Sequence, residues 1–153
     1  MPNDTSSDAQ RIVLLVGLPG SGKSTYLERL GVTALSSDAI RLLLADDVTN
    51  QTIHGRVFAT LRYLLRQRLA IGKPVTYVDA THLTPKERQP YIRIAKKHGC
   101  QIEALFFDVP LDVCLERNCA RARVVPGDAM CMMAAKLVPP TINEGFSRVT
   151  VVR

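Results

Sequence analysis

The sequence predicts an α/β fold, a three-layer sandwich with a mainly parallel sheet and helices on both faces. Two observations predict it. Short apolar, β-branched runs alternate with amphipathic stretches along all 153 residues, which is the pattern of strands joined by crossover helices. The first run, Arg11 to Val16, leads into GLPGSGKST at 17–25 and then into helix-forming Tyr26 to Leu30. Strand, G-x-x-x-x-G-K-S and helix in that order form a phosphate-binding loop. With no internal repeat, low-complexity stretch or linker, residues 11–153 read as one domain behind a polar tail at 1–10.

The elements follow in order. After the first helix, Val32 to Ser36 reads as a short second strand. Ser37 and Asp38 can cap a helix over 39–44, which Asp46 and Asp47 end. Thr49 or Asn50 can cap a longer helix with Ile53, Val57, Leu61, Leu64, Leu65 and Leu69 as its apolar stripe; Gly72 closes it and Pro74 prevents resumption. Val75 to Asp79 is the third strand. Thr84-Pro85-Lys86-Glu87 is a capping box with proline at the first helical position, and the helix runs to His98 before Gly99. Ile102 to Phe107 is the fourth strand, and Pro110 opens a helix with Leu111, Cys114 and Leu115 on one face. A basic segment from Arg117 to Arg123 precedes a helix over 128–137, and Arg148 to Val152 is the last strand.

Chemistry explains the spacing of the Gly-rich loop. Successive backbone N–H groups wrap a triphosphate only where no Cβ obstructs them, so Gly17, Gly20 and Gly22 supply the freedom and the close approach. The helix that follows points its positive end at the same anion. Lys23 reaches the β/γ oxygens and the Ser24 hydroxyl serves Mg²⁺. Pro19, Ser21 and Thr25 complete the candidate nucleotide-binding set. No G-x-G-x-x-G can be read across the loop, which excludes a dinucleotide fingerprint.

A net charge of +6 suits an acidic partner such as a nucleotide, a phosphorylated substrate or nucleic acid. No apolar run is long enough to cross a membrane, and residues 1–10 lack the features of a secretory signal. The four cysteines show no metal-ligand spacing and are expected as reduced thiols in a cytoplasmic protein, Cys100 and Cys114 within the core.

Ligands of such sheets bind at the carboxyl ends of the strands, and that rule selects the remaining polar residues. Asp38 follows the second strand, with Arg41 three residues on. The pair fits a general base and an anion clamp, or equally an N-cap with a solvated arginine. Asp79 ends an apolar strand as a Mg²⁺-orienting acid does, against the alternative of a turn residue. Thr81 and His82 follow as candidate pocket residues. Arg117, Arg121 and Arg123 read either as a solvated helix end or as a lid whose arginine neutralises transferred charge. Lys86, Arg88, Arg93, Lys96 and Lys97 read as a solvated face ahead of a nucleic-acid contact, and Met130, Met132 and Met133 as packing residues ahead of a recognition patch.

These residues resemble the small P-loop kinases of the polynucleotide 5′-hydroxyl kinase family, an AAA-type P-loop kinase domain. The resemblance rests on GLPGSGKST at 17–25, Asp38-x-x-Arg41, DATHLT at 79–84, FFDVPLDVCLERN at 106–118, Arg117 with Arg121, Val125-Pro126 and PPTINEGFSRV at 139–149. It implies ATP and Mg²⁺ held by Lys23 and Ser24, and Asp38 as general base on the acceptor hydroxyl. It further implies Arg41 on the 3′-phosphate of the acceptor nucleotide and Arg121 as the lid arginine beside Arg117. Arg123 competes for that last role. The expected reaction is γ-phosphoryl transfer from ATP to a 5′-hydroxyl of DNA or RNA. The alternatives are a small-molecule hydroxyl (sugar, nucleoside or antibiotic) and a nucleotide-binding switch without transfer.

Overall fold

The computed structural model describes residues 9–120 and 124–153. Its elements are β1 (Arg11–Val16), α1 (Lys23–Leu30), β2 (Leu35–Ser36), α2 (Ser37–Ala45), α3 (His54–Ala70) and β3 (Val75–Asp79). There follow α4 (Pro85–His98), β4 (Gln101–Phe107), α5 (Leu111–Cys119), α6 (Gly127–Lys136), a 3₁₀ turn at Ile142–Glu144 and β5 (Arg148–Val152). The five strands form one all-parallel sheet in the order β2-β3-β1-β4-β5.

The Gly-rich loop hangs from the central strand because β1 is the most apolar run in the chain. Its alternation splits the core in two. Ile12, Leu14 and Val16 face Val57, Leu61 and Leu65 of α3 and Tyr91 and Ile94 of α4. Val13 and Leu15 face the other way, against Leu27 of α1 and Leu105 and Phe107 of β4. Burying each such side chain contributes about 1.5–3 kcal/mol, so β1 is pinned from both faces. A third cluster of Leu18, Leu83, Cys114, Val125 and Met130 seats α5 and α6 beside the loop.

The expected sandwich is what forms, with differences at element ends. The second strand is only Leu35–Ser36, because β3 offers it pairing partners at Val78 and Asp79 alone. The cap of α2 is Ser36, whose Oγ accepts from the Ala39 N–H at 3.2 Å, and not Ser37 or Asp38. Helix α3 starts at His54, later than a Thr49 or Asn50 cap requires: the Asn50 carboxamide instead accepts from the Thr52 N–H at 2.8 Å in a local turn. The capping box at Thr84 forms with both of its hydrogen bonds. Arg88 departs from the solvated face expected of it and is fully buried. Met130 is core, whereas Met132 is exposed.

Candidate active site

The register aligns three strand ends. Leu15 of β1 pairs Asp79, and Asp79 pairs Ser36 of β2. The phosphate loop, the start of α2 and the 79–82 turn therefore open onto one cleft of about 1110 Å³. Its walls include Pro19, Gly20, Ser21, Gly22, Lys23, Ser24 and Thr25 of the loop, together with Asp38, Arg41, Asp79, Thr81 and Arg117.

The loop is built for close approach. Gly20 has φ +81, and a Cβ there would meet the Cys114 carbonyl oxygen at 2.6 Å, so α5 packs directly on the loop backbone. Gly22, at φ 100, stands as the N-cap of α1 with no side chain to cap it, which leaves the first N–H groups of the helix facing the cleft. Lys23 lies along the loop, its Nζ donating to Gly17 O at 2.7 Å and Leu18 O at 2.9 Å. The Ser21 hydroxyl is buried with no hydrogen-bond partner among the described residues. An orphaned hydroxyl beside a helix N-terminus that no side chain caps fits a phosphate oxygen.

Ser24 and Asp79 line the same cleft, and no group of three or more His, Cys, Asp or Glu that could hold a metal exists among the described residues. A hydroxyl, one carboxylate and the phosphates of a ligand are the donor set that suits Mg²⁺, which keeps several waters and seldom takes an all-protein cage.

Asp38 sits in the first turn of α2 and is relieved of capping by Ser36. Arg41, one turn on, is buried in the cleft wall with 4% exposure, its Nη1 donating to the Asn50 carbonyl at 2.9 Å. Arg117 brings a cation to the loop: a Cβ on Gly22 would sit 3.6 Å from its Nη1. Arg121 and Arg123 lie outside the described residues.

Thr81 lines the cleft, and its carbonyl accepts the Gly17 N–H at 3.0 Å. His82 does not join it. The ring turns into the core beneath β1, Nδ1–H donating to the Leu15 carbonyl at 2.5 Å and the ring standing edge-on to Tyr91 at 5.1 Å. Burial is the main reason its pKa falls to about 4, so the imidazole is neutral.

Three features escape a reading of the sequence. Asn118 is buried and clasps Val125, its Nδ2 donating to Val125 O at 2.6 Å and its Oδ1 accepting the Val125 N–H at 3.0 Å. His54 and Phe58 meet with ring centroids 4.7 Å apart and planes tilted by 46°, and both line the cleft that Arg41 lines. Burial, then the Arg41 charge, lowers the His54 pKa. Met133 of α6 lines the same cleft. Only the i, i+4 spacing of His54 and Phe58 hints at this in the sequence.

Among curated proteins the chain is 30% identical over 148 residues to the transcription factor bHLH140 of Arabidopsis thaliana, covering 92% of this chain and 16% of that protein. It is 24% identical to the L-seryl-tRNA(Sec) kinase of Methanococcus maripaludis, covering 84% of this chain and 53% of the relative. It is 26% identical to an Autographa californica nuclear polyhedrosis virus protein named for polynucleotide kinase and RNA ligase activities, covering 92% and 21%. The chain thus spans about half or less of the length of these relatives. Among solved structures, the Pnkp1/Rnl/Hen1 RNA repair complex contains a chain that superposes with TM-score 0.71 at 20% identity, covering 90% of this chain and 46% of that one. The Mycobacterium tuberculosis APS kinase CysC, solved with AMPPNP and APS, gives 0.58 at 19% identity, covering 94% and 88%. Residues 12–140 match the family model described as an AAA domain; that span holds the phosphate loop, Asp38, Arg41 and Asp79, and the chain belongs to this AAA_33 family of P-loop kinase domains.

Proposed function

We propose that this protein is an ATP- and Mg²⁺-dependent phosphotransferase whose acceptor is the 5′-hydroxyl of a DNA or RNA end. One observation carries the reading: a carboxylate, Asp38, and a buried arginine, Arg41, line the same cleft as a complete phosphate loop. Lys23 and the N-terminus of α1 hold the β- and γ-phosphates, and Arg117 adds positive charge at the loop. Asp38 takes the proton of the acceptor hydroxyl as its oxygen bonds to the γ-phosphorus and the bond to ADP breaks. Arg41 pairs with an anion next to that hydroxyl, which a polynucleotide supplies as its 3′-phosphate. Ser24 and Asp79 would hold Mg²⁺, which neutralises charge on the transferred group. Catalysis is then mainly positioning and charge neutralisation. The names of the viral relative and of the RNA repair complex support a polynucleotide acceptor.

Labelled ATP offered with 5′-hydroxyl DNA, 5′-hydroxyl RNA, nucleosides and sugars tests this. The expected result is label on an oligonucleotide, abolished in Asp38→Asn while MgATP binding persists. Label on a small molecule alone reverses the choice of acceptor. Normal transfer by Asp38→Asn removes the base assignment, and nucleotide binding without any transfer leaves a switch.

A further inference from the structure

We propose that Arg88 and Glu144 are positioning residues of the phosphate site, acting on the entry of the Gly-rich loop through the 81–82 turn. The inference rests on the phosphate-binding reading above. Neither side chain lines the cleft. Arg88 is 0% exposed on α4, and each of its three guanidinium nitrogens donates a hydrogen bond. Nε and Nη2 donate to the two Glu144 carboxylate oxygens at 2.8 and 3.0 Å, and Nη1 donates to the His82 carbonyl at 2.8 Å.

The peptide it grips is a special one. His82 has φ +47, a left-handed conformation that a non-glycine residue keeps only when its surroundings hold it there. In that conformation the His82 ring reaches the Leu15 carbonyl, and the neighbouring Thr81 carbonyl receives the Gly17 N–H at 3.0 Å. These contacts flank Val16, the last residue before the loop. The Gly17 carbonyl in turn accepts from Lys23 Nζ at 2.7 Å. Hydrogen bonds and single peptide units therefore connect Glu144 to the phosphate-binding lysine.

Stability alone is a poor reason for such a pair. Desolvating two charges costs as much as their attraction returns, and apolar residues of the same volume often serve as well. What an apolar side chain cannot supply is a directed donor at the His82 carbonyl. The segment carrying Glu144 is itself fixed: its Oε2 accepts the Thr141 N–H at 2.9 Å, and the Val138 N–H donates to Leu83 O at 2.8 Å. That segment follows α6, which lines the cleft, so one anchor serves the loop and the far wall.

Glu144→Gln keeps the volume and removes the charge, Arg88→Lys keeps a charge and loses the fork, and Glu103→Gln breaks a partly buried ion pair with Arg11, at the far end of β1 from the loop, as the control. Three readouts are the MgATP dissociation constant by calorimetry, the KM values for ATP and acceptor, and the Gly17 amide resonance of the nucleotide-free protein. In Glu144→Gln, MgATP affinity is expected to weaken about tenfold, the ATP KM to rise in step, the acceptor KM to stay within about twofold and the Gly17 resonance to move. Glu144→Asp is expected to recover part of the affinity, and Glu103→Gln to change none of these. A lower melting temperature in Glu144→Gln, with MgATP affinity and the Gly17 amide unchanged, would overturn the proposal. If the wild-type protein binds no MgATP, the phosphate reading itself fails, while the Gly17 resonance still decides whether the pair positions the loop. Should Arg88→Lys not fold, Glu144→Gln carries the test.

Discussion

His82 shows how a residue can be misread when only its neighbours in the chain are known. Following Asp79 and Thr81 at a strand end, it looks like a pocket residue, yet its positive φ turns the ring under β1. A neutral histidine in the core makes a pH prediction. Its folded pKa, about 4, lies below the ordinary 6.5, so the unfolded chain binds the proton more tightly. The associated stability is complete above about pH 6.5, falls as the pH drops from there, and is lost by about pH 4. The loss is on the order of 3 kcal/mol. Asparagine tolerates left-handed backbone, so His82→Asn keeps the turn. Urea unfolding at about pH 7.5 and pH 4.5 is expected to show a smaller acid-induced loss in His82→Asn than in the wild type. Equal losses would mean that the ring is not neutral in the fold. Burial likewise raises the Cys100 and Cys114 thiols, which suits inert packing residues.

At the scale of elements, the loop and α5 act as one piece. The Gly20 position leaves 2.6 Å between a would-be Cβ and the Cys114 carbonyl, which is backbone and cannot move aside cheaply. Gly20→Ala is therefore expected to push the loop off α5 and to weaken MgATP binding at least about tenfold, with loss of about 1–3 kcal/mol in stability. Calorimetry with MgATP checks it; native affinity would mean that α5 yields. This loop was legible in the sequence because each glycine answers a local backbone demand. So was the Thr84 capping box, whose two partners lie three residues apart. Legibility failed where the deciding partner lies far away in sequence. Ser36, Ser37 and Asp38 are all good caps, and only the end of β2 chooses Ser36. Arg88 sits in a charged helix and reads as solvated, because Glu144 is 56 residues away. The clasp of Asn118 on Val125 and the wall of His54, Phe58 and Met133 depend on how α3, α5 and α6 are placed, which no local pattern encodes.

At the scale of the whole molecule, a parallel sheet brings the ends of β1, β2 and β3 to one edge, so residues 23, 38 and 79 share a cleft although separate elements carry them. Membership in the P-loop kinase domains follows from that span of the chain, while the acceptor depends on the field outside it. No helix among the described residues is long and apolar enough to cross a membrane, and the net charge of +6 favours an anionic partner in water. A polynucleotide acceptor meets this charge at several phosphates, whereas a small acceptor meets it at one or none. Each phosphate neutralised on a single strand contributes about −0.7 to the slope of log affinity against log salt. If an oligonucleotide end engages about three phosphates, Arg41 taking one, the slope is about −2 and the acceptor KM rises roughly twentyfold between about 50 and 200 mM salt. Steady-state transfer to a 5′-hydroxyl decamer and to a nucleoside across that range measures it, with the ATP KM followed separately to remove the donor's own salt dependence. A steep rise for the decamer and a flat line for the nucleoside is the expected outcome. A decamer KM as flat as the nucleoside's would mean that the chain's net positive charge contributes nothing to acceptor capture, and a single small hydroxyl compound would become the substrate to seek.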